Sequence, residues 1–189
     1  MNGTMAQKRR SRPERQKTGP RPLDPETLEN LALTYVSRFA TSRGRLTSYL
    51  ARKLRERGWQ GEELPPIEAI ADRLVALRYV DDEAYAAMKA GAMQRRGLGG
   101  RRIAQALRQD GIDETVAAGA APNLRARWEA ADRLARRKRI GPYAAVRADR
   151  PVREKQLASF LRAGHDLTLA RLWIDAAPDE PPPIPDDQD

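Results

Sequence analysis

Apolar side chains return every three or four positions through most of the chain beyond residue 25. In "ETLENLALTYVSRFATS", Leu28, Leu31, Ala32, Tyr35, Val36 and Phe39 fall at helical spacing. "RLTSYLARKLRERGW" sets Leu46, Leu50 and Leu54 four apart and breaks at Gly58, a residue type that closes helices. Pro65 and Pro66 then precede "IEAIADRLVAL", which carries Ile67, Ile70, Leu74 and Leu77 on one side. A further helix starts in "RYVDDEAYAAM" and runs through Tyr85, Met88, Ala92 and Met93. The pattern predicts helices separated by short polar loops.

The helices also repeat. Gly58, Gly111 and Gly164 stand at a constant spacing of 53 residues, and Leu54, Leu107 and Phe160 each lie four positions earlier. "YLARKLRERGW", "RIAQALRQDGI" and "KQLASFLRAGH" are versions of one amphipathic helix that ends in glycine. Downstream, Asp113 aligns with Asp166 and Val116 with Leu169. The third copy departs most, with Gln156 at an otherwise apolar position, and the first has a longer loop after its glycine. The expectation is an all-α fold of tandem three-helix repeats forming an elongated, curved array. Each unit buries its apolar face partly against its neighbour. The expected divisions are residues 25–80, 81–124 and 125–177.

Composition sharpens this picture. Alanine, leucine and arginine dominate and favour helices, whereas β-branched residues are sparse. The net charge of +9 draws the protein toward polyanions or acidic surfaces. Residues 1–24 read as a disordered basic arm, whose first 22 residues set Lys8, Arg9, Arg10, Arg12, Arg15, Lys17 and Arg21 against the single acid Glu14. Residues 178–189, "PDEPPPIPDDQD", read as a disordered, acidic, proline-rich tail. Cysteine is absent, which removes disulfides, thiolate nucleophiles and cysteine-ligated zinc. No apolar run approaches the roughly 18 residues of a membrane span, and no apolar stretch follows the basic N-terminus as in a secretory signal. A cytoplasmic protein is expected.

Candidate chemistry is thin. Asp81, Asp82 and Glu83 are adjacent carboxylates. Aspartate before a helix accepts hydrogen bonds from free backbone N–H groups, and acids in a first turn suit the helix dipole. Asp81 and Asp82 are therefore read as structural helix caps, since a metal site needs further ligands. The one histidine, His165, follows a helix-ending glycine and is expected to be exposed and incidental. "GLGG" at 97–100 lacks the lysine and the preceding strand of a phosphate loop. It reads as a flexible helix–helix connection, with anion contact at the following helix N-terminus left open. Trp59, Trp128 and Trp173 are expected in core or inter-unit packing, and no aromatic ladder for stacking bases is evident. No catalytic residue, metal or cofactor is expected.

The basic residues do have a pattern. Arg101 and Arg108 lie opposite the apolar stripe of Ile103 and Leu107; Arg52 and Arg55 do the same in the first unit, and Arg108 is the repeat-equivalent of Arg55. "RLARRKRIG" adds Arg133, Arg136, Arg137, Lys138 and Arg139. Charged outer faces are usually only solvated. Repeated along an array, they suit an extended acidic or nucleic-acid partner better than a small ligand.

Three stretches in this order, "LALTYVSRFATSRGRLTSYLARKLRERGW", "VALRYVDDEAYA" and "QRRGLGGRRIAQALRQDGID", resemble the RecX family of bacterial regulators of the RecA recombinase. The step from Tyr79 and Val80 through Asp81 and Asp82 to Tyr85 is its most specific part. The resemblance is close over residues 28–118 and looser over 128–177, and the two tails lie outside it. Arg78 stands where the family often has glycine. The resemblance implies a non-enzymatic, all-helical protein of tandem three-helix repeats; a monomer without a cofactor or membrane contact is expected. It also implies binding along the groove of the RecA filament on single-stranded DNA, with strand exchange, ATP hydrolysis and coprotease activity restrained. Contacts with the filament or with DNA directly are expected at Arg52, Arg55, Arg95, Arg96, Arg101, Arg102 and Arg108, though the family motif does not specify them. Charge alone leaves open a helical DNA- or RNA-binding protein that acts without RecA. A helical scaffold for another protein is a further alternative.

Overall fold

The computed structural model describes residues 21–184. The expected arm at 1–20 and the end of the expected tail at 185–189 lie outside the described residues. The rest is all-α, in tandem three-helix units. The first unit holds α1 (Pro25–Arg38), α2 (Arg43–Arg57) and α3 (Ile67–Ala76). The second holds α4 (Asp82–Arg95), α5 (Gly100–Gln109) and α6 (Glu114–Gly119). The third holds α7 (Leu124–Lys138), α8 (Arg150–Ala163) and α9 (Leu167–Asp175), with a single 3₁₀ turn at Gly141–Tyr143.

Local sequence explains where these helices start. Among the described residues, seven of the nine α-helices begin on a side-chain cap, from Asp24, Ser42, Asp81, Asp113, Asn123, Asp149 and Asp166. Each cap oxygen accepts one of the backbone N–H groups that the first turn leaves unpaired. The exceptions are α3, which follows Pro65 and Pro66, and α5, which follows Gly99. The second helix of each unit ends in the left-handed region on the repeating glycine, with φ of 81° at Gly58, 71° at Gly111 and 91° at Gly164.

Each unit has its own apolar centre. Leu28, Leu46, Leu50, Ile70, Leu74 and Val80 fill the first. Tyr85, Ala86, Ala90, Met93, Ile103 and Leu107 fill the second, and Leu134, Ile140, Phe160, Ala170 and Trp173 the third. Leu98 packs against both the second and the third. Trp173 is fully buried, Trp128 lies 5.1 Å from it ring to ring, and Trp59 packs on the first core.

Four sequence expectations change. Leu23, placed in the arm, is fully buried, and it forms a two-sided backbone bridge with the Gly58–Gln60 segment. At the other end, Pro182 is buried and the Asp179 N–H donates to the Pro142 carbonyl at 2.9 Å, so the start of the expected tail is tied to the third unit. Phe39, Leu77 and Met88, read as core-facing, are exposed. Phe39 and Leu77 occupy the C-cap positions of their helices, where the helical period no longer dictates the face. His165, read as exposed, is only 2% exposed.

Candidate functional site

The units meet by one repeated device: the C-terminal end of a second helix abuts the N-terminal end of the second helix before it. At the first joint, Gly111 behind α5 sits against Gly44 at the start of α2, so close that a Cβ on Gly44 would lie 2.7 Å from the Gly111 Cα. The Ser42 hydroxyl donates to the Asp110 carbonyl at 2.5 Å. Asp82 reaches across as well, accepting the Arg43 N–H, the first of α2, at 2.8 Å. Asp81 meanwhile accepts the Ala84 N–H of its own helix at 2.9 Å. The adjacent aspartates thus serve two different helices.

At the second joint the contact is backbone to backbone. The Gly99 N–H donates to the Ala163 carbonyl at 2.8 Å and the Arg101 N–H to the Gly164 carbonyl at 3.1 Å. The end of α8 therefore supplies the cap that α5 lacks in sequence, and it favours the alignment of the two helix dipoles. A Cβ on Gly99 would lie 2.5 Å from the Gly164 carbonyl carbon. "GLGG" is accordingly a close-packed seam and not a flexible connection, and these two donors are spent on protein carbonyls, not held out to an anion. The His165 Nε2 faces the Gly97 carbonyl at 3.1 Å across the same seam. Burial is the main reason its pKa falls below the ordinary 6.5.

Charged groups lock both joints. Asp110 is buried and is held by the Tyr85 hydroxyl at 2.6 Å, by Lys89 and by Arg45 at 3.2 Å. Burial alone would raise the Asp110 carboxyl, but the bonds from Lys89, Tyr85 and Arg45 outweigh it and hold it below the ordinary carboxylate value. The Tyr85 phenol is pushed up to about 12 by its burial and by the adjacent carboxylate. Beside the second joint, within the third unit, Arg127 pairs with Asp166. Arg137 donates to the Arg96 carbonyl at 2.6 Å, and Arg133 reaches the Gln94 carbonyl at 3.5 Å. Both carbonyls belong to the C-terminal end of α4, where the Gln94 carbonyl also accepts the Gly97 N–H at 2.8 Å. Arg136 pairs with Asp132 and lies over the Tyr143 ring at 4.5 Å. Arg133 and Arg137 thus bridge to the second unit, while Arg136 is spent within the third.

The expected contact arginines are all exposed. Arg55, Arg95, Arg101 and Arg108 form no ion pair with another described residue, whereas Arg52 pairs with Glu56 at 2.9 Å and Arg102 bonds Gln105 at 2.9 Å. They stand on two units: Arg52 and Arg55 on α2, Arg95 and Arg96 at the end of α4, and Arg101, Arg102 and Arg108 on α5. Sequence reasoning missed an aromatic group. Tyr35 and Tyr49 stack at 4.2 Å between ring centres with an 11° interplanar angle, and Phe39 lies 5.5 Å beyond Tyr35. Its members come from two helices, so no local spacing announces it. Among the described residues no cluster of His, Cys, Asp and Glu is arranged to hold a metal. No described helix is long and apolar enough to cross a membrane. The arrangement offers cationic and aromatic contact along a row of stiffly joined units.

Known proteins are similar to this chain in sequence and in fold. A family model described as RecX, second three-helix domain, matches residues 81–120. A regulatory protein RecX of Myxococcus xanthus (strain DK1622) is 36% identical over 174 residues, spanning 87% of this chain and 93% of that one. A regulatory protein RecX of Mycobacterium sp. (strain KMS) is 33% identical over 127 residues, spanning 66% and 68% respectively. A crystal structure of a regulatory protein RecX superposes with a TM-score of 0.61 at 25% identity, covering 78% of this chain and 70% of that one. The crystal structure of RecX from Lactobacillus salivarius shares the fold, with a TM-score of 0.58 at 24% identity over 77% of this chain and 90% of that one.

Proposed function

The chain belongs to the RecX family of regulatory proteins, and we propose that it binds the groove of the RecA filament on single-stranded DNA and restrains recombinase, ATPase and coprotease activity. In this reading it works in the cytoplasm as a monomer and as a binder without chemistry of its own. The units at 25–80, 81–124 and 125–177 contact successive filament subunits. The filament is a repeating polymer, so a ligand with repeating contacts gains from effective concentration: once one unit is seated, the next binds as an intramolecular partner. That gain requires a fixed distance between units, and the observation that carries the proposal is the pair of tight glycine seams at Gly44–Gly111 and Gly99–Gly164. Exposed arginines on α2, the end of α4 and α5 then present charge at set intervals. Occupying the groove excludes a second DNA and resists the subunit motions that accompany ATP turnover.

The test compares binding to RecA filaments on single-stranded DNA, to free RecA and to bare DNA at physiological salt, alongside ATPase and strand-exchange assays. Preferential binding to the filament with loss of both activities is expected. Charge reversal at Arg101 and Arg108 together should weaken filament binding at least tenfold while leaving thermal unfolding unchanged. RecA activity that is indifferent to saturating protein would overturn the proposal.

A further inference from the structure

The ends of α4 and α7 lie together across the second joint, tied by the Arg137 bond to the Arg96 carbonyl at 2.6 Å. They gather Arg95, Arg96, Arg137, Lys138 and Arg139, all exposed, into one basic cluster drawn from two units. Among the described residues none of the five forms an ion pair, and the acids of α7 are already taken, Asp132 by Arg136 and Glu129 by Arg125 and Arg133. Cations do suit the negative end of a helix, but each end carries only about half a charge. Just beyond Arg139 the chain turns through Pro142, and the C-terminal segment is tied down there. The Asp179 N–H donates to the Pro142 carbonyl, and Pro182 is buried. Arg139 precedes this anchor by three residues, at most about 11 Å of chain. Asp186 follows Asp179 by seven, a reach of up to roughly 25 Å.

We propose that this cluster is a docking surface for the acidic end of the same chain, with Asp186, Asp187 and Asp189 lying against Lys138, Arg139 and the arginines at the end of α4. The chain thereby carries its own competitor for any outside polyanion. One exposed ion pair is worth little. Three carboxylates tethered beside the cluster act at a high effective concentration, and the prolines at 181–183 limit the freedom lost on docking. The basic face of α2 belongs to the first unit, whereas the anchor at Pro142 belongs to the third, so the tether selects the nearer cluster. The contact needs no recombinase, and it holds or fails independently of the filament reading.

The test uses the full chain. It has no cysteine, so Gln188→Cys carries a single nitroxide label whose effect is read on backbone amide signals. At low salt the amides of Arg95, Arg96, Arg137, Lys138 and Arg139 should broaden. They should recover at about 1 M salt, where the screening length is about 3 Å. They should also recover when Asp186→Asn, Asp187→Asn and Asp189→Asn are combined, and when Lys138→Gln is combined with Arg139→Gln. A mixture of labelled chain with isotope-marked unlabelled chain should show no such broadening, because the contact is within one molecule. A heparin oligosaccharide, a polyanion without bases, should bind the three-asparagine variant about threefold more tightly than the parent at low salt. Thermal unfolding of that variant should match the parent. The proposal is overturned by broadening confined to the neighbours of residues 178–184, by broadening that survives neutralisation of the aspartates, by equal broadening in the mixture, or by an unchanged heparin affinity.

Discussion

Arg78 holds a φ of 61°, in the left-handed region that a side chain with a Cβ enters at a cost of roughly 1–2 kcal/mol. Its only ion-pair contact among the described residues is a long one to Asp81 at 3.8 Å, and its side chain is 85% exposed. Arg78→Gly relieves the backbone but loosens the unfolded chain, so a net gain of about 0.5–1 kcal/mol is expected in urea unfolding. The position was legible because the family tends to have glycine there; why it must be glycine-like became clear only from the turn that joins α3 to Val80. His165 was not legible. A histidine after a helix-ending glycine gives no sign that another unit covers it. Its lowered pKa means that the fold favours the neutral ring. The associated stability is complete above the ordinary value of 6.5 and is lost as pH falls through the folded-state value. Its charged neighbours Asp166 and Arg127 pull its pKa in opposite directions and pair with one another. Asp110 and Asp166 both titrate below the ordinary carboxylate value, outside this window. Urea midpoints should therefore fall between pH 7.5 and pH 5.5, and His165→Gln should flatten that dependence.

Helix identities and the glycine stops were legible because period and caps are local properties. Which end each cap serves was not. Asp82 sits in the first turn of α4, yet its carboxylate accepts an N–H of α2 from 39 residues earlier in the chain. Asp82→Ala should cost about 1 kcal/mol, the usual loss for an N-cap oxygen. The loss should appear as faster amide exchange in the first turn of α2 more than in α4. Asp81→Ala should show the reverse pattern. Ser42 is similarly double in role, since its oxygen accepts the Arg45 N–H at 3.1 Å while its proton goes to the Asp110 carbonyl. The three glycines that look alike in sequence also differ. A Cβ on Gly58 would meet nothing within 4 Å, whereas Gly111 and Gly164 are pressed against the preceding unit. The repeat spacing reports a shared helix stop, and among the described residues only two of the three stops meet another unit.

The whole chain behaves as a short solenoid whose stability is shared between units and seams. The apolar centres are distinct, so the seams decide whether the units unfold together. Gly99→Ala places a Cβ against fixed backbone at the second seam and should cost about 1–3 kcal/mol. The loss is at the interface and not inside a unit, so calorimetry should show one transition broadening or dividing into two. The charge balance suggested a polyanionic partner at the outset, but it treated all arginines alike. The structure divides them into those that tie units together, such as Arg133 and Arg137, and those that face water, such as Arg55, Arg95, Arg101 and Arg108.

The backbone pairing of Gly99 and Arg101 with the end of α8 makes trimming the chain hazardous. A fragment stopped ahead of residue 150 would strip two amides of their acceptors and fray α5 from its start. Gly99 has φ −83° and ψ 168°, a conformation that serine adopts easily at the head of a helix. Gly99→Ser should therefore rescue the shortened protein and injure the intact one, an inversion of sign that a melting curve on each would reveal.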